Sequence, residues 1–271
     1  MSSHIPLSPL HTIEIAEPLR HLLVKPQERD FPVVSIARKT APDGRELVHM
    51  ELIIAGRQTR AAHPLADRYP VHFLKSYHPW CFHGDPGIEF ENNRVAAEIL
   101  GSPAPIGYDA NTFRTAFIPG KPLSRLSPFT DVEPAERCLG IAQETAPATL
   151  IGLWRLAEEA FAQVEKLHAH RFCHRDLELH NIVVCTAPIQ VFLIDFESSE
   201  RAFSGPDEVF EEHCYKDKEE LLRLAIYLQS GLGHQTGSLA EQSLAALPNL
   251  FKSSSTFLSR LEAADQKAIV G

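Results

Sequence analysis

Three oxygen-bearing side chains in the C-terminal half of the chain are spaced for phosphoryl chemistry. They lie in His174-Arg175-Asp176-Leu177-Glu178-Leu179-His180-Asn181 and in Val191-Phe192-Leu193-Ile194-Asp195-Phe196-Glu197. Moving a phosphoryl group requires a carboxylate to orient the attacking hydroxyl, and Asp176 supplies one. It also requires oxygen ligands that hold Mg²⁺ against the phosphates, and the amide of Asn181 with the carboxylate of Asp195 supplies those.

Such residues act together only if the elements around them hold the loop. Ile182-Val183-Val184 and Val191-Phe192-Leu193-Ile194 read as paired strands with a turn at Thr186-Ala187-Pro188, a hairpin that brings Asn181 and Asp195 to one spot. Upstream, Leu153, Leu156, Ala160, Phe161, Val164 and Leu167 recur at helical spacing, which predicts an amphipathic helix over Leu150 to His170 that delivers the chain to His174. Downstream, Glu197 to Lys216 is polar and loop-like, Asp217 to Ser230 resumes a helical pattern, and further helices are expected at Ser238 to Ala246 and Ser255 to Ala264.

The N-terminal half has a different texture. Residues 1 to 30 are punctuated by Pro and His and read as a strand-poor extension or packed arm. Phe31 to Arg38, Glu46 to Ala55 and Tyr69 to Ser76 are short apolar runs broken at Ala41-Pro42-Asp43-Gly44 and Gly56-Arg57-Gln58, as an antiparallel sheet requires. One helix over Ile88 to Leu100, with Val95, Ala96, Ile99 and Leu100 as its apolar face, stops at Gly101. Two more strands, Pro105 to Asp109 and Thr112 to Ile118, precede the break Pro119-Gly120-Lys121-Pro122.

Composition excludes several classes. The 271 residues are 44% hydrophobic, enough for a sizeable core, and the net charge of −9 argues against nucleic acid as the main partner. Five scattered cysteines without a CxxC pair read as reduced thiols of a cytoplasmic protein. No run of apolar residues is long enough to predict a membrane span, and the fourteen histidines include no HExxH.

Taken in order, these pieces resemble the protein-kinase-like superfamily, which includes protein kinases and the aminoglycoside and choline phosphotransferases. The resemblance covers roughly residues 31 to 230. His174, Arg175, Asp176 and Asn181 match its H-[RG]-D-x-x-x-x-N loop position by position, and Asp195 matches the metal-binding Asp of its D-F-G motif. It implies an α+β, two-lobed fold: a small antiparallel β N-lobe with one helix over residues 31 to 122, following an extension over 1 to 30, and a mainly helical C-lobe over 123 to 271. It also implies ATP and Mg²⁺ as cofactors and a hydroxyl-bearing acceptor. Asp176 would orient the acceptor within the loop carrying His174 and Arg175, while Asn181 and Asp195 would be the metal ligands.

In the N-lobe, Val71-His72-Phe73-Leu74-Lys75 resembles the family's strand whose Lys contacts the phosphates, which assigns that contact to Lys75. Its carboxylate partner is sought among Glu89, Glu91 and Glu98. Glu91 is taken because Val95 and Ile99 extend its helical face, while an alignment position by position allows Asn93. Phe117-Ile118-Pro119-Gly120 resembles the hinge whose backbone reads an adenine edge, so Phe117, Ile118 and Gly120 join the nucleotide-binding set. An ordinary exit from a strand explains the same Pro and Gly. Asp217 has two readings, a brace for the catalytic loop or a helix N-cap.

The chain departs from the pattern in three places. Neither 41–45 nor 55–60 has the glycine-rich form, and Arg57 or Arg60 is a candidate substitute for its phosphate contacts. Glu197 stands where the family has Gly, so the motif is D-F-E, and Glu178 stands where protein kinases carry Lys. With no A-P-E sequence after Asp195, a small-molecule or atypical acceptor is favoured over a Ser/Thr protein substrate. A non-catalytic protein that binds nucleotide or a partner is the alternative of another class.

Overall fold

Apolar and β-branched residues along Glu46–Ile54 and Val71–Tyr77 build the central pair of a five-stranded antiparallel sheet. The computed structural model of the chain describes residues 17–81, 84–101, 105–118, 120–123, 150–186, 189–201 and 205–230. These fall into two compact units: residues 17–118 with 195–199, and residues 120–123 with 150–194 and 200–230. The chain is α+β. The helices expected at Ser238 to Ala246 and Ser255 to Ala264, the first 16 residues and Pro119 lie outside the described residues.

In the first unit, β1 (Phe31–Thr40), β2 (Glu46–Ile54), β3 (Val71–Tyr77), β4 (Pro105–Tyr108) and β5 (Thr112–Ala116) take the order β1-β2-β3-β5-β4. The β1–β2 turn closes at Gly44, whose φ of +83° favours glycine, and the Asp43 carboxylate accepts from the Arg45 N–H at 3.1 Å. Helix α1 (Glu17–Val24) is a packed arm: Leu22 is buried against Ile54 and Val71, flanked by Phe31 and Phe117.

Two sequence expectations about helices need correction here. Among the described residues, 31–122 hold two α-helices, not one, because Arg57–Ala62 forms a short α2 where the sequence suggested only a break. The two arginines of that segment are structural ties. Arg57 donates to the Pro26 carbonyl at 3.1 Å, and Arg60 donates to Ala55 at 3.0 Å and Leu23 at 3.2 Å, so both clamp the chain around α1. Helix α3 (Pro86–Leu100) is capped by Asp85, which accepts from Gly87 N at 2.8 Å and Ile88 N at 3.2 Å, and ends at Gly101 with φ +72°. Its buried face is Glu89, Asn92, Asn93, Ala96 and Ala97, not the Val95 and Ile99 face.

In the second unit, helix α4 (Leu150–Ala169) buries Leu156, Ala160, Val164 and Leu167 along one stripe. Strands β6 (Lys121–Pro122), β7 (Ile182–Thr186) and β8 (Ile189–Leu193) form a small antiparallel sheet in that order, with Ile182 opposite Leu193. Helix α5 (Asp207–Ser230) packs on α4 and starts ten residues before the expected Asp217. Its early turns are exposed, so no apolar period marks them. Asp207 and Glu208 favour the helix N-terminus, and Lys216 pairs with Glu212 one turn away at 2.6 Å.

No helix among the described residues is long and apolar enough to cross a membrane. Cys81, Cys173, Cys185 and Cys214 are free thiols. Burial pushes Cys173 up to about 12 and Cys185 up to about 11, which keeps both protonated as packing groups.

Candidate functional site

Lys75 lies on the central strand β3, opposite Met50 of β2 and Phe113 of β5, with 2% of its side chain exposed. A buried ammonium needs counter-charges, and three converge on it. The Glu89 carboxylate lies at 3.3 Å, Asp195 Oδ1 at 3.1 Å, and Glu197 Oε2 accepts a short hydrogen bond from the same Nζ. Period-2 alternation puts Tyr77 on the same face of β3, and its hydroxyl donates to the other oxygen of Glu89.

Three carboxylates sharing one cation leave the cation over-compensated and the carboxylates under-compensated. Burial opposes the Lys75 charge, but Glu89, Asp195 and Glu197 outweigh it and raise its pKa well above the ordinary lysine value. Burial pushes the Glu89 carboxyl up to about 7, against the pull of Lys75.

Glu89 is therefore the partner of Lys75, and the choice of Glu91 is corrected. Glu91 lies two residues on, which turns it well round the helix. It pairs with Arg94 at 2.9 Å and is 40% exposed. Asn93 donates from its side chain to the Glu89 carbonyl at 2.9 Å, within its own helix. The buried face of α3 is polar because it meets Lys75 and the segment 195–199. Asn92 donates to the carbonyls of Phe196 at 2.9 Å and Ser199 at 3.0 Å, and the Phe196 ring is buried. Asp195 sits in the left-handed region, with φ 63° and ψ 59°.

The second unit holds the loop from His174 to Asn181. Asp217, buried in the middle of α5, accepts from His174 N at 2.7 Å and Arg175 N at 2.6 Å, and pairs with the His168 ring at 2.9 Å. Of its two readings, the brace holds and the N-cap does not. The buried His174 ring meets the Ile194 carbonyl at 2.9 Å. Arg175 has φ 68°, and its exposed guanidinium pairs with Glu200 at 3.3 Å. Asn181 Nδ2 donates to the Asp176 carbonyl at 2.8 Å, which ties the two ends of the loop together. Asp176 is exposed, and the Ile194 N–H donates to the Asn181 carbonyl at 2.9 Å, one residue before Asp195.

The residues expected to form a hinge divide. The Phe117 N–H donates to the Val71 carbonyl at 3.0 Å and its ring packs in the α1 cluster, so its own backbone donor is used by the sheet. Ile118 is half-buried. At Gly120 a Cβ would fall 2.5 Å from the Val184 carbonyl oxygen, so glycine is required for the chain to approach β7.

Sequence reasoning missed Asn92, Tyr77 and the contact from Glu197 to Lys75. Helical spacing offered a signal for the first, because Asn92 lies one turn beyond Glu89.

Two buried groups, His72 on β3 and Glu89 on α3, give the fold an unusual pH response. Burial pushes the His72 imidazole down to about 4, below its ordinary 6.5, so the stability it confers is present above pH 6.5 and is lost as pH falls toward 4. Glu89, raised from 4.5 to about 7, confers stability that is full below pH 4.5 and is lost as pH rises through 7. Each is worth about 3 kcal/mol in full, and they oppose each other across the shared window. Between pH 7 and pH 5, His72→Phe should therefore gain stability relative to wild type, and Glu89→Gln should lose it. Urea midpoints at the two pH values test this, and an unchanged slope in His72→Phe would count against it. Comparison with protein-family models and with curated proteins returns no match for this chain.

Proposed function

We propose that the chain is a two-lobed, protein-kinase-like phosphotransferase that moves the γ-phosphate of ATP to a hydroxyl of a small-molecule or atypical acceptor. The observation that carries this reading is the buried Lys75–Glu89 pair with Asp195 on the same ammonium, because a lysine fixed by a helix carboxylate is what a phosphate clamp requires. The Asp217-braced loop supports it from the other unit by holding the backbone on either side of Asp176.

In this reading Asp176 orients the acceptor hydroxyl and takes its proton, Lys75 holds the phosphates, and His174 and Arg175 shape the loop. Mg²⁺, bound with ATP, would neutralise charge on the phosphates. Asn181 and Asp195 offer it the hard oxygen donors it takes. Because Asn181 Nδ2 is engaged by Asp176, its amide oxygen is the atom for that role.

An acceptor other than a peptide is favoured by a short platform, since only residues 196–206 separate Asp195 from α5. Glu178, exposed in the loop, adds to that preference. A non-catalytic nucleotide binder is the second reading, and Glu197 on Lys75 is the observation that favours it.

The deciding experiment is Mg²⁺-dependent ATP consumption with a panel of hydroxylated metabolites and generic peptides. Asp176→Ala should lower turnover by about 10²–10⁴-fold while ATP still binds. Clear binding without turnover on any acceptor would reject the enzyme in favour of the binder.

A further inference from the structure

We propose that Glu197 is a built-in competitor for the phosphate clamp: it occupies the Lys75 ammonium, Asn92 latches it there, and a polyphosphate ligand must displace it. The proposal rests on the phosphotransferase reading for the identity of the ligand, but not for the contact itself.

The geometry comes from one compact unit. The Lys75 ammonium can direct three hydrogen bonds, and Glu89, Asp195 and Glu197 account for three. Nothing about the lysine is left to solvent, with 2% of its side chain exposed. Glu89 is 3% exposed and belongs to the helix, so it cannot leave without unpacking α3. Glu197 differs, because its side chain is 20% exposed and stands on a short turn, Phe196–Ser198. Asp195, 26% exposed, has a solvent path too, but it is the metal ligand of the proposed reading, so Glu197 is the carboxylate that can leave without costing the site a ligand.

The turn is held in place independently of charge. Asn92 grips the carbonyls of Phe196 at its start and of Ser199 just after it, and the buried Phe196 ring anchors it. A latch of this construction lets an anion of higher charge replace Glu197 at Nζ while the turn itself stays docked. Its effect follows from mass action. If the latch is closed nine-tenths of the time, apparent affinity for the ligand is weaker by about tenfold.

The test compares wild type, Glu197→Ala and Lys75→Met/Glu197→Ala in calorimetric titration with ATP and Mg²⁺. Glu197→Ala should bind about tenfold more tightly than wild type, and the double variant should lose that gain. Equal or weaker binding by Glu197→Ala overturns the proposal while leaving the phosphotransferase reading in place. If no variant binds ATP, the nucleotide reading fails and a second measurement judges the latch. N-acetoxysuccinimide labelling of Lys75, read by mass spectrometry, should rise several-fold in Glu197→Ala if Glu197 covers the ammonium. Equal labelling in the two proteins overturns the proposal.

Discussion

Replacing Asp217 by alanine should destabilise the protein by about 3–5 kcal/mol, the range for removing one partner from a buried charged network. Its carboxylate accepts from two consecutive backbone N–H groups and meets the His168 ring, all at 2.6 to 2.9 Å, and it is 1% exposed. Without it, the amides of His174 and Arg175 lose a charged acceptor in the interior, and each such loss costs about 1–3 kcal/mol. A further consequence is conformational. Arg175 is held with φ 68°, a region an arginine enters at a cost of about 1–2 kcal/mol, and the bond to Asp217 is what secures it. Removing the brace lets Arg175 relax and carries Asp176 with it. Chemical denaturation reads the first effect, and amide exchange of residues 173–177 at denaturant concentrations well below the midpoint reads the second. If Asp217→Ala loses less than about 1 kcal/mol, the carboxylate is not the brace described here.

How far such a network could be read from the chain depends on how local it is. The loop from His174 to Asn181 and the hairpin after it are contiguous in sequence, so the paired strands Ile182–Thr186 and Ile189–Leu193 were legible without a distant partner. The strands were legible for the same reason, since alternation within Val71–Tyr77 and Glu46–Ile54 needs no distant partner. The start of α5 was not, because its first turns are exposed and charged and a helix without an apolar stripe looks like a loop. The partner of Lys75 failed for a subtler reason. The apolar spacing of α3 points to Val95 and Ile99 as the inward face, whereas a helix packed on a buried ammonium turns Glu89, Asn92 and Asn93 inward. In sequence Glu197 stands out only as a missing glycine. It lies 122 residues from Lys75, and no periodicity links the two.

Replacing Lys75 by methionine isolates the electrostatic half of the site. It should cost about 3–5 kcal/mol near pH 8, because it leaves Glu89 buried beside Asp195 and Glu197 with no cation among them. Asp195 and Glu197 are 26% and 20% exposed and can turn toward water, so the burden falls on Glu89. Burial already pushes that carboxyl up to about 7 while Lys75 pulls it down, and removing the pull raises it further. A carboxyl raised in the folded state confers stability that is full below its ordinary value and is lost as pH rises through the folded one. The deficit of Lys75→Met should accordingly shrink as pH falls from 8 to 5, where Glu89 takes up a proton and becomes a neutral neighbour of Tyr77. Urea unfolding at the two pH values measures this, and a deficit that does not change with pH would sink the argument. The double variant Lys75→Met/Glu89→Gln sharpens it, since an amide carries no charge to strand. It should be more stable than Lys75→Met at pH 8 and nearly equal to it at pH 5. Equality at both values would mean that the lost packing of the lysine stem, not the uncompensated carboxylate, sets the cost.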